Sequence, residues 1–163
     1  MTVLCALLPL LAACAATEPL PVSRTPAIYE SLASPGTKLD AFAARDLING
    51  YRRNQGLSAL SLDPVLMGEA DKQARVMAAG GNVAAGARTD IAKRLAAAGT
   101  VSSKARESVS AGYFTVSDAF SGWRGSPDND ATLRFAPAKR LGISAQHKPG
   151  SRHHVYWALI VSD

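Results

Sequence analysis

Two adjoining stretches decide the fold: residues 107–113, Glu-Ser-Val-Ser-Ala-Gly-Tyr, and residues 115–133, TVSDAFSGWRGSPDNDATL. The first reads as the end of a strand that carries one carboxylate, followed by a short loop at Gly112-Tyr113. The second opens with Thr115 and repeats apolar residues at Val116, Ala119, Phe120 and Trp123. That spacing of three and four makes one inward stripe of a helix. Asp118, three residues after Thr115, gives a weak capping box. Ser126-Pro127 then starts a second short helix, with proline at its first position and Asp128 and Asp130 at its positive end. The polar groups of a site would come from this strand end, its loop and these helix starts.

Working outward, Thr37 to Asn54 reads as a helix through Leu39, Ala43, Leu47 and Tyr51, stopped by Gly56. Leu57, Leu60 and Leu62 form an extended link. Asp63-Pro64 opens a second helix with Leu66, Ala70, Ala74 and Met77 inward and Gly80-Gly81 at its end. Its many small residues imply close approach to a neighbour. Thr89 is placed to cap a third helix, with Ile91, Leu95 and Ala98 inward and Gly99 as its stop. Val101 to Val109 leads into the strand that carries Glu107. Downstream, Leu141 to Gln146 and His154 to Val161 are two strands joined by the turn signal Lys148-Pro149-Gly150-Ser151. The second is almost continuously apolar, which predicts a central strand. Helices flanking such a sheet make an α+β domain, a three-layer α-β-α sandwich with a small, mainly antiparallel sheet.

The 163 residues are 47% hydrophobic and 19% charged, a composition that suits one globular domain. A net charge of +5 favours anionic surroundings. The Lys and Arg residues are scattered from Arg45 through Arg52 to Arg140 without an aromatic–basic stripe. That predicts a solvated basic surface and no nucleic-acid partner. The two cysteines, Cys5 and Cys14, fall in the first 14 residues, so thiolate metal sites and internal disulfides are not expected in the folded body.

Val3 to Ala13 is apolar but too short to span a bilayer, and it ends in small residues like a signal peptide. Leu11-Ala12-Ala13-Cys14 resembles a bacterial lipobox, in which the cysteine is acylated. The chain therefore divides into a signal at 1–13, a lipidated Cys14 with a Pro-rich tether at 14–36, and a domain at 37–163. An ordinary cleaved signal, with Cys14 incidental, is the alternative. Ala15 follows the cysteine where an inner-membrane lipoprotein of the Gram-negative type would have Asp. The expected location is the envelope, lipid-anchored at the outer membrane and facing the periplasm.

Several spaced residues resemble a known pattern: Asn49-x-x-Arg52, Gly56-Leu57-x-x-Leu60-x-x-Asp63-x-x-Leu66, Arg94-Leu95-x-x-Ala98-Gly99, Glu107, Trp123-x-x-Ser126, Leu133, Gly142-x-Ser144 and Tyr156-Trp157. Together they are similar to the CAP domain, also called the SCP or cysteine-rich secretory protein family, over about residues 38–162. The resemblance implies an α-β-α sandwich with a cleft that in some members holds two histidines and a divalent metal. Here Asn129 stands where a histidine is expected, and Ser108 and Thr132 where asparagines are. No histidine lies between Met77 and Ile91. No metal or cofactor is therefore expected.

The candidate cleft residues are Glu107, Ser108, Tyr113, Ser126 and Asn129. Glu107 is either a carboxylate that orients a ligand or one that accepts backbone N–H bonds and holds the loop through Gly112-Tyr113. Asp128, Asn129 and Asp130 with Glu107 could offer oxygen ligands to a hard cation. Calcium sites, however, usually need about six or more oxygens in a rigid loop, and capping with the helix dipole already accounts for two acids inside a Ser-Pro helix start. Ser108, Ser110 and Ser126 lack a histidine base. His147, His153 and His154 lie in or beside the last hairpin, where neighbours on a strand would face opposite ways. Tyr113, following a glycine, is the aromatic residue suited to line a groove. The function expected is a membrane-anchored, non-enzymatic module that binds a small lipid or an envelope protein. The alternatives are a hydrolase of peptide or envelope polymer using Glu107, and a purely structural lipoprotein.

Overall fold

The computed structural model of the protein describes residues 25–86, 90–100, 102 and 104–163. The signal, Cys14 and most of the tether lie outside the described residues, as does Thr89. Among the described residues, five α-helices flank one sheet: α1 (Ala41–Asn54), α2 (Pro64–Gly80), α3 (Ile91–Ala97), α4 (Val116–Arg124) and α5 (Pro127–Leu133). The strands are β1 (Ser61–Leu62), β2 (Ala105–Ala111), β3 (Arg140–His147) and β4 (Val155–Ser162), in the order β1-β3-β4-β2. Only β1 runs parallel to its neighbour, β3; the other pairs are antiparallel. The expected α+β sandwich and its mainly antiparallel sheet are present. The apolar run of β4 is central because it is covered on both faces, and all eight of its residues are buried.

Alternation along β4 splits the core in two. Tyr156, Ala158 and Ile160 meet Leu66, Ala70, Ala74 and Met77 of α2 and Leu95 of α3. Trp157, Leu159 and Val161 meet Ala44 and Ile48 of α1, Phe120 and Trp123 of α4, and Leu133 of α5. The closest seam is between α2 and β3. A Cβ added to Gly142 would collide with the carbonyl group of Leu66, so glycine is what lets helix backbone lie on strand backbone.

The helix ends follow the local chemistry. Asp63 Oδ1 accepts from the N–H groups of Val65 (2.9 Å) and Leu66 (3.0 Å), and Gly81 ends α2 in the left-handed region at φ 70°. Thr115 Oγ1 accepts from the N–H of Asp118 at 3.0 Å. Helix α1 starts at Ala41 rather than Thr37, because Asp40 is the residue whose side chain caps it, accepting from Ala43 N–H at 2.9 Å. Asp90 caps α3, accepting from Ala92 N–H at 2.7 Å.

Leu32, in the stretch read as a tether with no core of its own from which Ile28, Tyr29 and Leu32 could dock, is buried in the core, and its N–H donates to Phe114 O at 2.8 Å. A 3-10 turn at Ala27–Tyr29 precedes it, so packing begins before Gly36. Arg52 is not on a solvated surface but fully buried. Its Nε donates to Ser58 O (2.8 Å), its Nη1 to Leu133 O (2.8 Å) and Phe135 O (3.1 Å), and its Nη2 reaches Ala138 O at 3.5 Å. His153 and His154 lie in the loop before β4, not on a strand, so alternation does not separate them.

Candidate functional site

Helix α2 presents polar residues on its buried stripe. Glu69 and Gln73 fall beside Leu66, Ala70, Ala74 and Met77 at helical spacing, and both are buried. Arg94 occupies the same kind of position on α3, between Ile91, Leu95 and Ala98. These side chains meet in the groove between the two helices, which holds a cavity of about 330 Å³. Val76, Ala85, Ala97 and Ala98 give it an apolar wall, and Glu69, Lys72, Gln73 and Arg94 a polar one.

Glu107 lies next to this cavity on β2, on the side of the sheet where Ala105, Val109 and Ala111 pack against the α2 layer. Its Oε2 is 2.7 Å from Arg94 Nη2. The pair is held by charge and proximity. None of the three buried guanidinium nitrogens makes an aligned hydrogen bond, and Glu107 Oε1 has no partner among the described residues. Burial pushes the Glu107 carboxyl above the ordinary glutamate range. Arg94 pulls it down and the nearby Glu69 charge adds to the rise. Glu69 itself pairs with the exposed Lys72 at 2.6 Å. Two carboxylates and two cations thus share the polar side of the groove, with bonding capacity left over.

The residues expected to form one cleft are divided by the sheet. Ser108 follows Glu107 and therefore points to the other face, toward α4 and α5. There its Oγ is buried without a partner among the described residues, while Ser110 Oγ accepts from Trp123 Nε1 at 2.9 Å. Tyr113 lies over Gly122 of α4, where an added Cβ would strike its ring, and its carbonyl accepts from Trp157 Nε1 at 2.8 Å. Ser126 precedes α5 without making a side-chain cap bond. Asn129 is half-buried in the first turn of α5. No hydrogen bond among the described residues joins Ser126 or Asn129 to Glu107. Asp130 does more than favour the helix dipole. It accepts from Tyr51 Oη at 2.7 Å and pairs with Arg134 at 2.7 Å.

Among the described residues Glu107 accepts no backbone N–H; its partner is Arg94 of helix α3. Arg94, Glu69 and Gln73 were legible in principle, as polar residues on otherwise apolar helical stripes. No group of three or more His, Cys, Asp or Glu suited to a metal occurs among the described residues. No described helix is long and apolar enough to cross a membrane.

Solved structures share this architecture. An extracellular protein with an SCP domain from Bacillus anthracis superposes with a TM-score of 0.62 at 17% identity, covering 73% of this chain and 38% of that one. An outer surface protein of Borrelia burgdorferi gives 0.65 at 15% identity, covering 78% of this chain and 98% of the other. A cysteine-rich secretory protein from Staphylococcus aureus gives 0.61 at 15% identity, covering 79% and 40%. The chain thus spans well under half the length of two of these three neighbours. No curated protein sequence matches. At these identities the neighbours speak for the fold alone. The sequence itself goes further: residues 45–161 match the model of CAP, the cysteine-rich secretory protein family, so with its sandwich, its Glu107 strand and its Trp123 helix this chain belongs to the CAP family.

Proposed function

We propose that this protein is an exported CAP-domain module, anchored by acylation of Cys14 on the periplasmic side of the outer membrane, that binds a small ligand without turning it over. The observation that supports this reading is the cavity of about 330 Å³ between α2 and α3, apolar on one wall and polar on the other. Its size is at the lower end for small-molecule sites. Its mixed lining suits a small lipid or lipid fragment with a polar head. Glu107 and Arg94 neutralise each other beside it, and all three histidines, at 147, 153 and 154, fall elsewhere in the chain.

The test is to incubate the purified protein with a bacterial lipid extract and to identify what co-purifies by mass spectrometry. Val76→Trp, a change at an exposed cavity wall, should abolish capture while leaving the fold intact. Equal capture by that variant would remove the cavity from consideration. Incorporation of labelled palmitate, compared with Cys14→Ala, tests the anchor independently.

One observation favours a second reading. Burial raises the Glu107 carboxyl above the ordinary glutamate range, the direction that favours a general acid, and the carboxyl sits beside the cavity with Oε1 unpartnered among the described residues. Turnover of peptide or envelope polymer that Glu107→Gln abolishes would establish the hydrolase.

A further inference from the structure

The two ends of the sheet differ in how their charges are used. At one end, where β2 and β3 begin and β4 finishes, Arg140 donates to Asp163 O (2.6 Å) and Ser162 Oγ (2.9 Å) and lies 3.4 Å from Asp63. Those charges are tied together. At the other end, the loop between β3 and β4 completes the run His147-Lys148-Pro149-Gly150-Ser151-Arg152-His153-His154, which contains every histidine of the chain and no acid. Lys148 donates to Ala79 O at 2.9 Å, on the last turn of α2. Neither Lys148 nor the exposed Arg152 has a carboxylate partner among the described residues.

Aromatic residues border the same loop. Phe114 is 42% exposed, and the His154 ring stands edge-on to it at 6.0 Å. Tyr29 is 55% exposed on the 3-10 turn that packs against α4. The hydrogen bond from Leu32 N–H to Phe114 O ties the stretch after that turn to the Phe114 loop. The described chain begins at residue 25 on this seam, 11 residues after Cys14.

We infer that this end of the domain, with Tyr29, Phe114, Lys148 and Arg152 at its centre, rests on the anionic headgroups of the membrane that holds the acyl chains. The inference builds on the proposed anchor at Cys14 but concerns a separate surface. Fully extended, 11 residues reach about 35–40 Å, enough for the domain either to float or to lie down. A tether that short keeps the domain at a high local concentration beside the bilayer, so a weak contact suffices to dock it. The contact has the right chemistry. Aromatic rings favour the headgroup zone, and Lys and Arg that no carboxylate neutralises are attracted to an anionic leaflet. Glu30, beside Tyr29, is the single acid between residues 25 and 36. It is outnumbered by Lys148 and Arg152.

The test uses the chain from residue 14 with Cys14→Ser, so that no acyl chain contributes, and vesicles of either phosphatidylcholine alone or a 3:1 mixture with phosphatidylglycerol. Co-sedimentation should require the anionic lipid and weaken with salt. Lys148→Glu with Arg152→Glu should reduce it by about tenfold or more, and Phe114→Asp should weaken it further. All three positions are at the surface, and circular dichroism checks that the variants fold. Equal sedimentation on neutral vesicles, or no effect of these variants, overturns the inference. So does a dimer in lipid-free solution that the same variants dissociate, since the face would then serve a second copy of the chain. Failure of palmitate labelling would sink the anchor and leave this result standing.

Discussion

Two buried arginines show how differently this fold uses the same side chain. Arg52, at the seam of α1, α5 and the β1 link, spends its guanidinium on backbone carbonyls at Ser58, Leu133 and Phe135, with Ala138 at the edge of reach. These carbonyls lie at a helix end and in loops, where Phe135 O also accepts from Ala138 N–H at 3.2 Å, and one planar fork ties them together. Arg94, at the seam of α2, α3 and β2, has one ionic neighbour and no aligned hydrogen bond. Both are withdrawn from water, and burial pushes the pKa of Arg52 down. The first is saturated and serves the scaffold. The second is held with capacity unused, beside a cavity and a carboxylate that burial makes costly to ionise. Buried polar groups are normally paired, so bonding capacity left over beside a cavity is what the proposed ligand site at the α2–α3 seam would use.

The contrast breaks most readily at Arg52. Arg52→Met would strand several buried carbonyls, each worth about 1–3 kcal/mol when left unpaired. Urea denaturation should show a loss of at least about 3 kcal/mol, or no folded protein at all. A loss under about 1 kcal/mol would mean that the seam relaxes without the guanidinium. Gly142→Ala tests the seat of α2, on which Glu69 and Gln73 ride. Here backbone must move away from backbone, at a cost of about 1–3 kcal/mol, and ligand capture should weaken in the folded fraction.

The smallest expected effect sharpens the contrast most. Glu107→Gln imitates the protonated carboxyl. Because the folded pKa is raised above the unfolded value, ionisation is penalised in the folded state, and wild-type stability falls as pH rises through the interval between those two pKa values. Above that interval the variant should be as stable as wild type or slightly more so. Below the unfolded pKa, where both carry a neutral group, the difference should vanish. A clear loss of stability for Glu107→Gln at pH 7, measured by thermal unfolding against wild type, would make Glu107 a scaffold residue like Arg52.

Much of the fold was legible because local rules set it. Asp63-Pro64 and Thr115 mark helix starts through their own side chains, and Gly81 marks a stop through its φ. The apolar run of β4 announces a strand covered on both faces. Where a boundary moved, a neighbouring residue did the same work better, as Asp40 does for α1. The site was less legible. Glu107 was found as a carboxylate at a strand end, but its partner lies 13 positions earlier on helix α3. Ser108, adjacent in sequence, faces the opposite layer. The interrupted apolar stripes at Glu69, Gln73 and Arg94 were the available signal.

What the sequence by itself determined is the set of elements, the central place of β4 and membership of the CAP family. Capping and periodicity act over a few residues, so a linear reading can recover them. Only the tertiary structure decided which polar groups meet. It put Glu107 with Arg94 and Glu69, turned Ser108 away, and enclosed Arg52 among carbonyls. Those outcomes depend on strand alternation and helix packing across the whole chain, where a shift of one residue would exchange the two faces.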